Sequence, residues 1–305
     1  MTNPERITER VRNYRQRNER FDRLVGAVLA NKVVGRAARA AVAAALELSG
    51  QREQQLQELR GSLEKERQKV RQLTPQVAPQ RVHRPPVGQV SLGNLRQLEP
   101  ISNNFGYDRG RPIDRYYIEN FLDRHANDVR GRVLEIKDYY YTRRCGGDRV
   151  DVSDVLDVDE DNPLATVVAD LTRADHVPSD AYDCILFNQT LQLIYDMRSA
   201  IQTLYRILKP GGVLLATFPG ITQINYEDNK DYWCWSFTQL SVRRLFAESF
   251  PEENIEVEAH GNVLAAIAFL HGLAANELRR KELDYRDPDY QLVITLRAVK
   301  PETAP

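Results

Sequence analysis

In a chain of 305 residues, four polar positions fall where chemistry could be done. Glu135 lies at the end of the apolar run Arg132–Ile136 (RVLEI). Ser153-Asp154 follows Arg149–Val152, Asp170 follows Thr166–Ala169 (TVVA), and Asn188-Gln189 follows Cys184–Phe187 (CILF). Each run predicts a short strand. In open α/β sheets ligands bind beyond the carboxyl ends of the strands. Glu135 and Asp154 are 19 residues apart, close to the ~20 at which a second-strand acid meets ribose hydroxyls. A carboxylate suits that task because a cis-diol offers two donors to two acceptor oxygens. Any one of these acids also serves simply to end a strand. The ordered set of four points to a nucleoside-like ligand.

The elements that must position them alternate. Tyr117–His125 predicts a helix, and Met197–Leu208 an amphipathic one. Val213–Thr217 (VLLAT) predicts a fifth strand, and Ile255–Ala259 and Gln291–Ala298 the last two. Strands alternating with helices imply a doubly wound, mostly parallel seven-stranded α/β sheet covered on both faces.

Upstream the sequence changes character. Residues 5–48 predict helix, with Phe21, Leu24, Val25, Val28 and Leu29 in one apolar stripe. Leu56, Leu59, Leu63, Val70 and Leu73 occupy a and d positions of a heptad over 51–73. Self-association as a homodimer and packing on the chain's own first helix fit this heptad equally. Residues 1–75 are therefore a helical, partly coiled-coil extension, 76–113 a Pro-containing linker, and 114–300 the α/β domain. Residues 1–86 hold 18 Lys+Arg against 9 Asp+Glu, while the whole chain has net charge −1. A solvated basic helix explains this better than a nucleic-acid surface, because the segment has few aromatics and no recognition motif.

Three scattered cysteines with no CxxC argue against a structural metal and fit a reducing, cytoplasmic setting. Leu24–Leu48 is broken by Asn31, Lys32, Arg36 and Arg39, so no transmembrane segment is expected. No phosphate loop and no nucleophile elbow occur.

Tyr182–Ile221 carries a family resemblance. Within it, Arg206-Ile207-Leu208-Lys209-Pro210-Gly211-Gly212 matches an R-x-L-K-P-G-G turn between a helix and the fifth strand. Residues 114–300 resemble a class I S-adenosylmethionine-dependent methyltransferase of type 11. The resemblance implies S-adenosylmethionine as cofactor. It implies Glu135 and Lys137 at the cofactor loop, Asp154 on the ribose, Asp170 with Leu171 on the adenine, and Asn188 with Gln189 near the methionine end. Arg115-Tyr116-Tyr117 resembles a segment that closes over the cofactor in related enzymes, although core packing explains the tyrosines equally well. The family's first motif is acid-x-Gly-x-Gly-x-Gly. Here Lys137 replaces the first glycine, and no Gly occurs before Gly146. Either a longer Tyr- and Arg-rich loop surrounds the cofactor, or cofactor binding is lost.

On the substrate side, Trp233 and Trp235 lie in DYWCWSFT, which could wall an acceptor or pack the loop on the sheet. Arg115 is a further substrate candidate. His271, at the end of Gly261–Ala275, has the near-neutral pKa of a general base, though a helix C-terminus alone also favours His. His125 and His176 are no stronger. The reading is transfer of a methyl group to a small-molecule or glycan acceptor at oxygen, in glycan or secondary-metabolite biosynthesis. Two alternatives stand beside it. One is a non-catalytic methyltransferase-like scaffold that self-associates through its N-terminal helices. The other is a nucleic-acid methyltransferase using the basic segment.

Overall fold

The computed structural model describes residues 61, 62, 65, 84–224 and 232–302. The chain divides into two compact units, Met1–Val90 and Ser91–Pro305. In the first, the described residues Gly61, Ser62 and Lys65 are helical. The apolar stripe and the rest of the heptad lie outside the described residues.

The second unit holds seven strands: β1 (Gly131–Ile136), β2 (Val150–Asp157), β3 (Val167–Val168), β4 (Tyr182–Asn188), β5 (Leu208–Pro219), β6 (Ile255–His260) and β7 (Val293–Val299). Its α-helices are α1 (Ile113–Arg124), α2 (Met197–Ile207), α3 (Gln239–Phe246), α4 (Val263–Leu270) and α5 (Arg280–Leu283). The sheet order is β3-β2-β1-β4-β5-β7-β6. Strands β1 to β5 pair in parallel, and β7 runs antiparallel between β5 and β6.

Alternation along the central strands builds two cores. Leu134, Ile185, Phe187, Leu214, Ala216 and Phe218 face one side, packed with Ile201 and Leu204 of α2 and Val242 and Phe246 of α3. Val133, Cys184, Leu186, Val213 and Leu215 face the other, packed with Ile118 and Leu122 of α1 and Ala265 and Phe269 of α4. The helices end where local chemistry dictates. Thr238 and Ser241 form a capping box on α3, and Asn262 caps α4 by accepting from the Ala265 amide. At the KPGG turn Gly211 takes φ 77°. A Cβ on Gly212 would lie 2.8 Å from the Lys209 carbonyl oxygen and 3.0 Å from that of Tyr182. Only glycine fits both positions without displacing backbone.

Three expectations about elements change. Strand β2 does not stop at Val152 but runs on to Asp157. Its first half is exposed, so it never forms the apolar run that marks a buried strand. Residues 91–113 belong to the compact unit rather than to a linker. The Ile101 and Ser102 amides donate to the His271 carbonyl oxygen, and the Phe105 ring lies 5.9 Å from that of Phe269. The 261–275 helix is shorter, Val263–Leu270, because Gly272 turns away at φ 67°.

Phe218 is fully buried, with its ring 5.4 Å from Phe237 and 5.6 Å from Phe246. Phe218→Ala should cost about 3–5 kcal/mol of unfolding free energy, read from denaturant melts.

Candidate active site

The connection from β1 to β2 is built around one buried carboxylate. Glu135 is 3% exposed. One oxygen accepts the Tyr141 amide at 3.0 Å. The other accepts the Thr142 amide and hydroxyl, both at 2.7 Å. Glu135 therefore holds the start of the turn that follows β1. Burial pushes its carboxyl up to about 7, against the downward pull of the Thr142 and Tyr141 donors. Between β1 and this turn the backbone must reverse. Lys137 does so at φ 70°, the left-handed region that glycine enters freely. Its amide donates to the Leu156 carbonyl oxygen at 3.0 Å, and its own carbonyl accepts from Asn162 Nδ2 at 2.9 Å. Lys137 thus takes a glycine-like backbone, and its side chain is exposed.

The acid at the end of β2 is Asp157, not Asp154. Asp154 lies three residues earlier and is engaged within the sheet, accepting from Arg132 Nε at 2.7 Å and Thr166 Oγ1 at 2.8 Å. Asp157 accepts from Asn162 Nδ2 at 2.7 Å, beside the Lys137 turn. Beyond β3, Asp170 is exposed and caps its own turn through the Thr172 amide and hydroxyl. The Leu171 side chain lies in the core, so only its backbone is free to meet an adenine.

At the end of β4, Asn188 Oδ1 accepts from Thr217 Oγ1 at 3.2 Å. Asn188 Nδ2 is buried and has no partner among the described residues. Gln189 turns the chain at φ 47°, its amide on the Thr217 carbonyl oxygen. Here a cavity of ≈ 280 Å³ opens beyond the ends of β4 and β5. Gln189, Gln192 and Pro219 line it from the strand ends, and Asp114 and Arg115 from the first turn of α1. Trp233, Phe269 and Tyr107 complete much of its wall. Arg115 donates from Nε to the Tyr107 hydroxyl at 2.9 Å and from Nη1 to the Tyr141 hydroxyl at 2.6 Å. Burial works against its charge, but the Tyr141, Asp114 and Tyr107 oxygens outweigh that and hold its pKa above the ordinary value. Burial likewise raises the Asp114 carboxyl, opposed by Arg115.

Three expected residues lie elsewhere. Tyr116 points to α5, donating to Asp284, and does not line the cavity. Trp235 packs the loop on the sheet, its Nε1 on the Ile194 carbonyl oxygen at 3.1 Å and its ring stacked on Tyr195. His271 sits at the C-terminus of α4, outside the cavity lining. Conversely, Asp114, Gln192 and Asp157 were not singled out by the sequence. Asp114 reads there as an acid in a helix's first turn. Gln192 sits in a 3-10 turn with no periodic signal. Among the described residues, no group of three His, Cys, Asp or Glu side chains could hold a metal ion.

Residues 149–216 match the family described as "Methyltransferase domain". A malonyl-[acyl-carrier protein] O-methyltransferase of Salmonella typhimurium is 26% identical over 203 residues, covering 55% of this chain and 78% of the relative. Among solved structures, an S-adenosylmethionine-dependent methyltransferase from Archaeoglobus fulgidus aligns with a TM-score of 0.42 at 12% identity, over 61% of this chain and 94% of that one. The N-methyltransferase NodS from Bradyrhizobium japonicum, in complex with S-adenosylhomocysteine, aligns at 0.41 and 15%, over 67% and 95%.

Two outcomes follow from the turn after β1. Lys137→Gly should stay within ~1 kcal/mol of wild type, because relief of left-handed strain offsets glycine's extra chain entropy. Lys137→Val, β-branched at the same φ, should lose ~1–3 kcal/mol in the same chemical melts. A carboxyl raised in the folded state from 4.5 to about 7 stabilises the fold fully below 4.5 and loses that contribution as pH climbs through 7. The unfolding free energy of wild type relative to Glu135→Gln should therefore fall between those pH values. A rise over the same window would show that the three donors hold Glu135 ionised.

Proposed function

We propose, for a chain that carries a class I S-adenosylmethionine-dependent methyltransferase domain, that it moves the methyl group to an oxygen of a small-molecule or glycan acceptor. When bound, the cofactor supplies an electrophilic methyl group on a sulfonium. The observation that carries the reading is the order of polar groups along the carboxyl edge of the sheet. Along that edge, from β3 through β2 and β1 to β4, stand Asp170, Asp157, the Lys137 turn and Asn188, and the acceptor cavity opens from β4 onward.

These residues fit the cofactor. Asn188 Nδ2 is a buried donor without a partner among the described residues, and such a group costs about 1–3 kcal/mol unless a ligand or water meets it. Asp157 would accept the ribose hydroxyls. Asp170 and the Leu171 backbone would meet the adenine. The left-handed turn at Lys137 lets the β1–β2 backbone pass close to a ligand as glycine does elsewhere. Asn188 and Gln189 would hold the methionine end, where the cofactor side joins the acceptor cavity. Arg115 and Trp233 would face the acceptor. An O-methyltransferase among the relatives supports oxygen as the methylated atom. Much of the rate can come from placing the acceptor oxygen in line with the methyl group and excluding water. The heptad in 51–73 supports a homodimer, which light scattering of the full chain with and without Leu59→Asp would test.

The experiment is calorimetric titration of the full chain with S-adenosylhomocysteine. Micromolar binding, weakened at least tenfold by Asp157→Ala, is expected. No binding by the wild-type chain would turn the reading to the non-catalytic scaffold.

A further inference from the structure

Two features of the cavity are not accounted for by the cofactor. Gln192 is 2% exposed; its Nε2 donates to the Gln189 carbonyl oxygen at 2.8 Å, but its Oε1, an acceptor, has no partner among the described residues. Trp233 Nε1, a donor, has none among them either. Both residues line the cavity. A hydroxyl both donates and accepts, so it suits a cavity that offers an open acceptor and an open donor.

The second feature is Asp114. The hydrogen bonds to its side chain come from backbone amides, that of Arg115 at 2.7 Å and its own. The Arg115 guanidinium is turned to the Tyr107 and Tyr141 hydroxyls rather than to this carboxylate. So a cavity-lining carboxylate keeps a lone pair free, in a setting that raises its proton affinity.

We propose that Asp114 takes the proton from the acceptor hydroxyl that is methylated, while Gln192 Oε1 and Trp233 Nε1 hold a neighbouring hydroxyl, which makes the acceptor a neutral polyhydroxyl ring. This rests on the O-methylation reading above. In the step, the hydroxyl oxygen forms a bond to the methyl carbon. The carbon–sulfur bond breaks and its electron pair stays on the donor sulfur. The hydroxyl proton passes to the Asp114 carboxylate and then to water. Polarity supports a polyol over an amine or an acid. An ammonium would leave Trp233 Nε1 facing a like donor, and a carboxylate would face Asp114 and Gln192 Oε1. The aromatic wall of Trp233, Phe105 and Phe269 suits the apolar face of a ring. An acid in the first turn of a helix also complements the helix dipole. That role alone predicts lower stability with turnover intact.

The test uses the full chain, S-adenosylmethionine with a labelled methyl group, and four probes: methyl α-D-glucopyranoside, methyl α-L-rhamnopyranoside, phenethylamine and propionate. Label on a pyranoside is expected. Asp114→Asn should lower kcat by about 10²–10⁴-fold, the usual worth of a general base. Its affinity for S-adenosylhomocysteine should stay within twofold, which also reports an intact fold. Gln192→Met should raise the pyranoside KM with kcat nearly kept. The proposal is overturned if Asp114→Asn keeps kcat within tenfold of wild type. Label on the amine or carboxylate, or no binding or turnover of either pyranoside, overturns it as well. Loss of S-adenosylhomocysteine binding by the wild-type chain would instead bring down the function beneath it.

Discussion

The buried carboxylate of Glu135 is the constraint on which the site depends. It sits on the central strand β1 and grips the Tyr141 and Thr142 amides six and seven residues on. That grip closes the β1–β2 connection into a short turn, Thr142–Gly146, with π-helical bonding. A tight connection forces a reversal straight after the strand, and Lys137 makes it in the left-handed region. The reversal brings the Lys137 carbonyl within reach of Asn162, which also holds Asp157. One buried carboxyl group thus fixes the loop, the backbone route and the strand-end acid together.

This arrangement explains how a loop without the family's glycines keeps a left-handed turn at the first of their positions. Glycine is favoured at such a turn because φ > 0 costs it nothing and because no side chain blocks the ligand. Lys137 accepts the first cost and avoids the second by pointing its side chain to solvent. Tyr141, at another of these positions, accepts from Arg115 at its hydroxyl and so ties the β1–β2 connection to the cavity wall.

Much of the fold was legible because β1, β4 and β5 are buried on both faces and read as continuous apolar runs. The KPGG turn was legible because Gly212 has no room for a Cβ. The end of β2 was not. Val150–Ser153 face solvent, and Asp154 interrupts the apolar pattern with a charge paired to Arg132. In sequence the strand therefore reads as finished at Val152, five residues early, which puts Asp154 at its end in place of Asp157. Asp114 and Gln192 were hidden for a different reason. A first-turn acid and a loop glutamine carry no local signal, and their importance comes only from the cavity that distant segments bring to them. Trp235 and Trp233 looked alike in sequence, yet one packs and the other lines the cavity.

Hydrogen exchange of the full chain, with and without S-adenosylhomocysteine, tests the central claim most directly. The account predicts slowed exchange in the β1–β2 turn around 137–142, at 157–162, at 170–172 and at 188–192. These are the strand ends assigned to the cofactor. Protection absent from these segments, or confined to α5 and the β6–β7 edge, would contradict it.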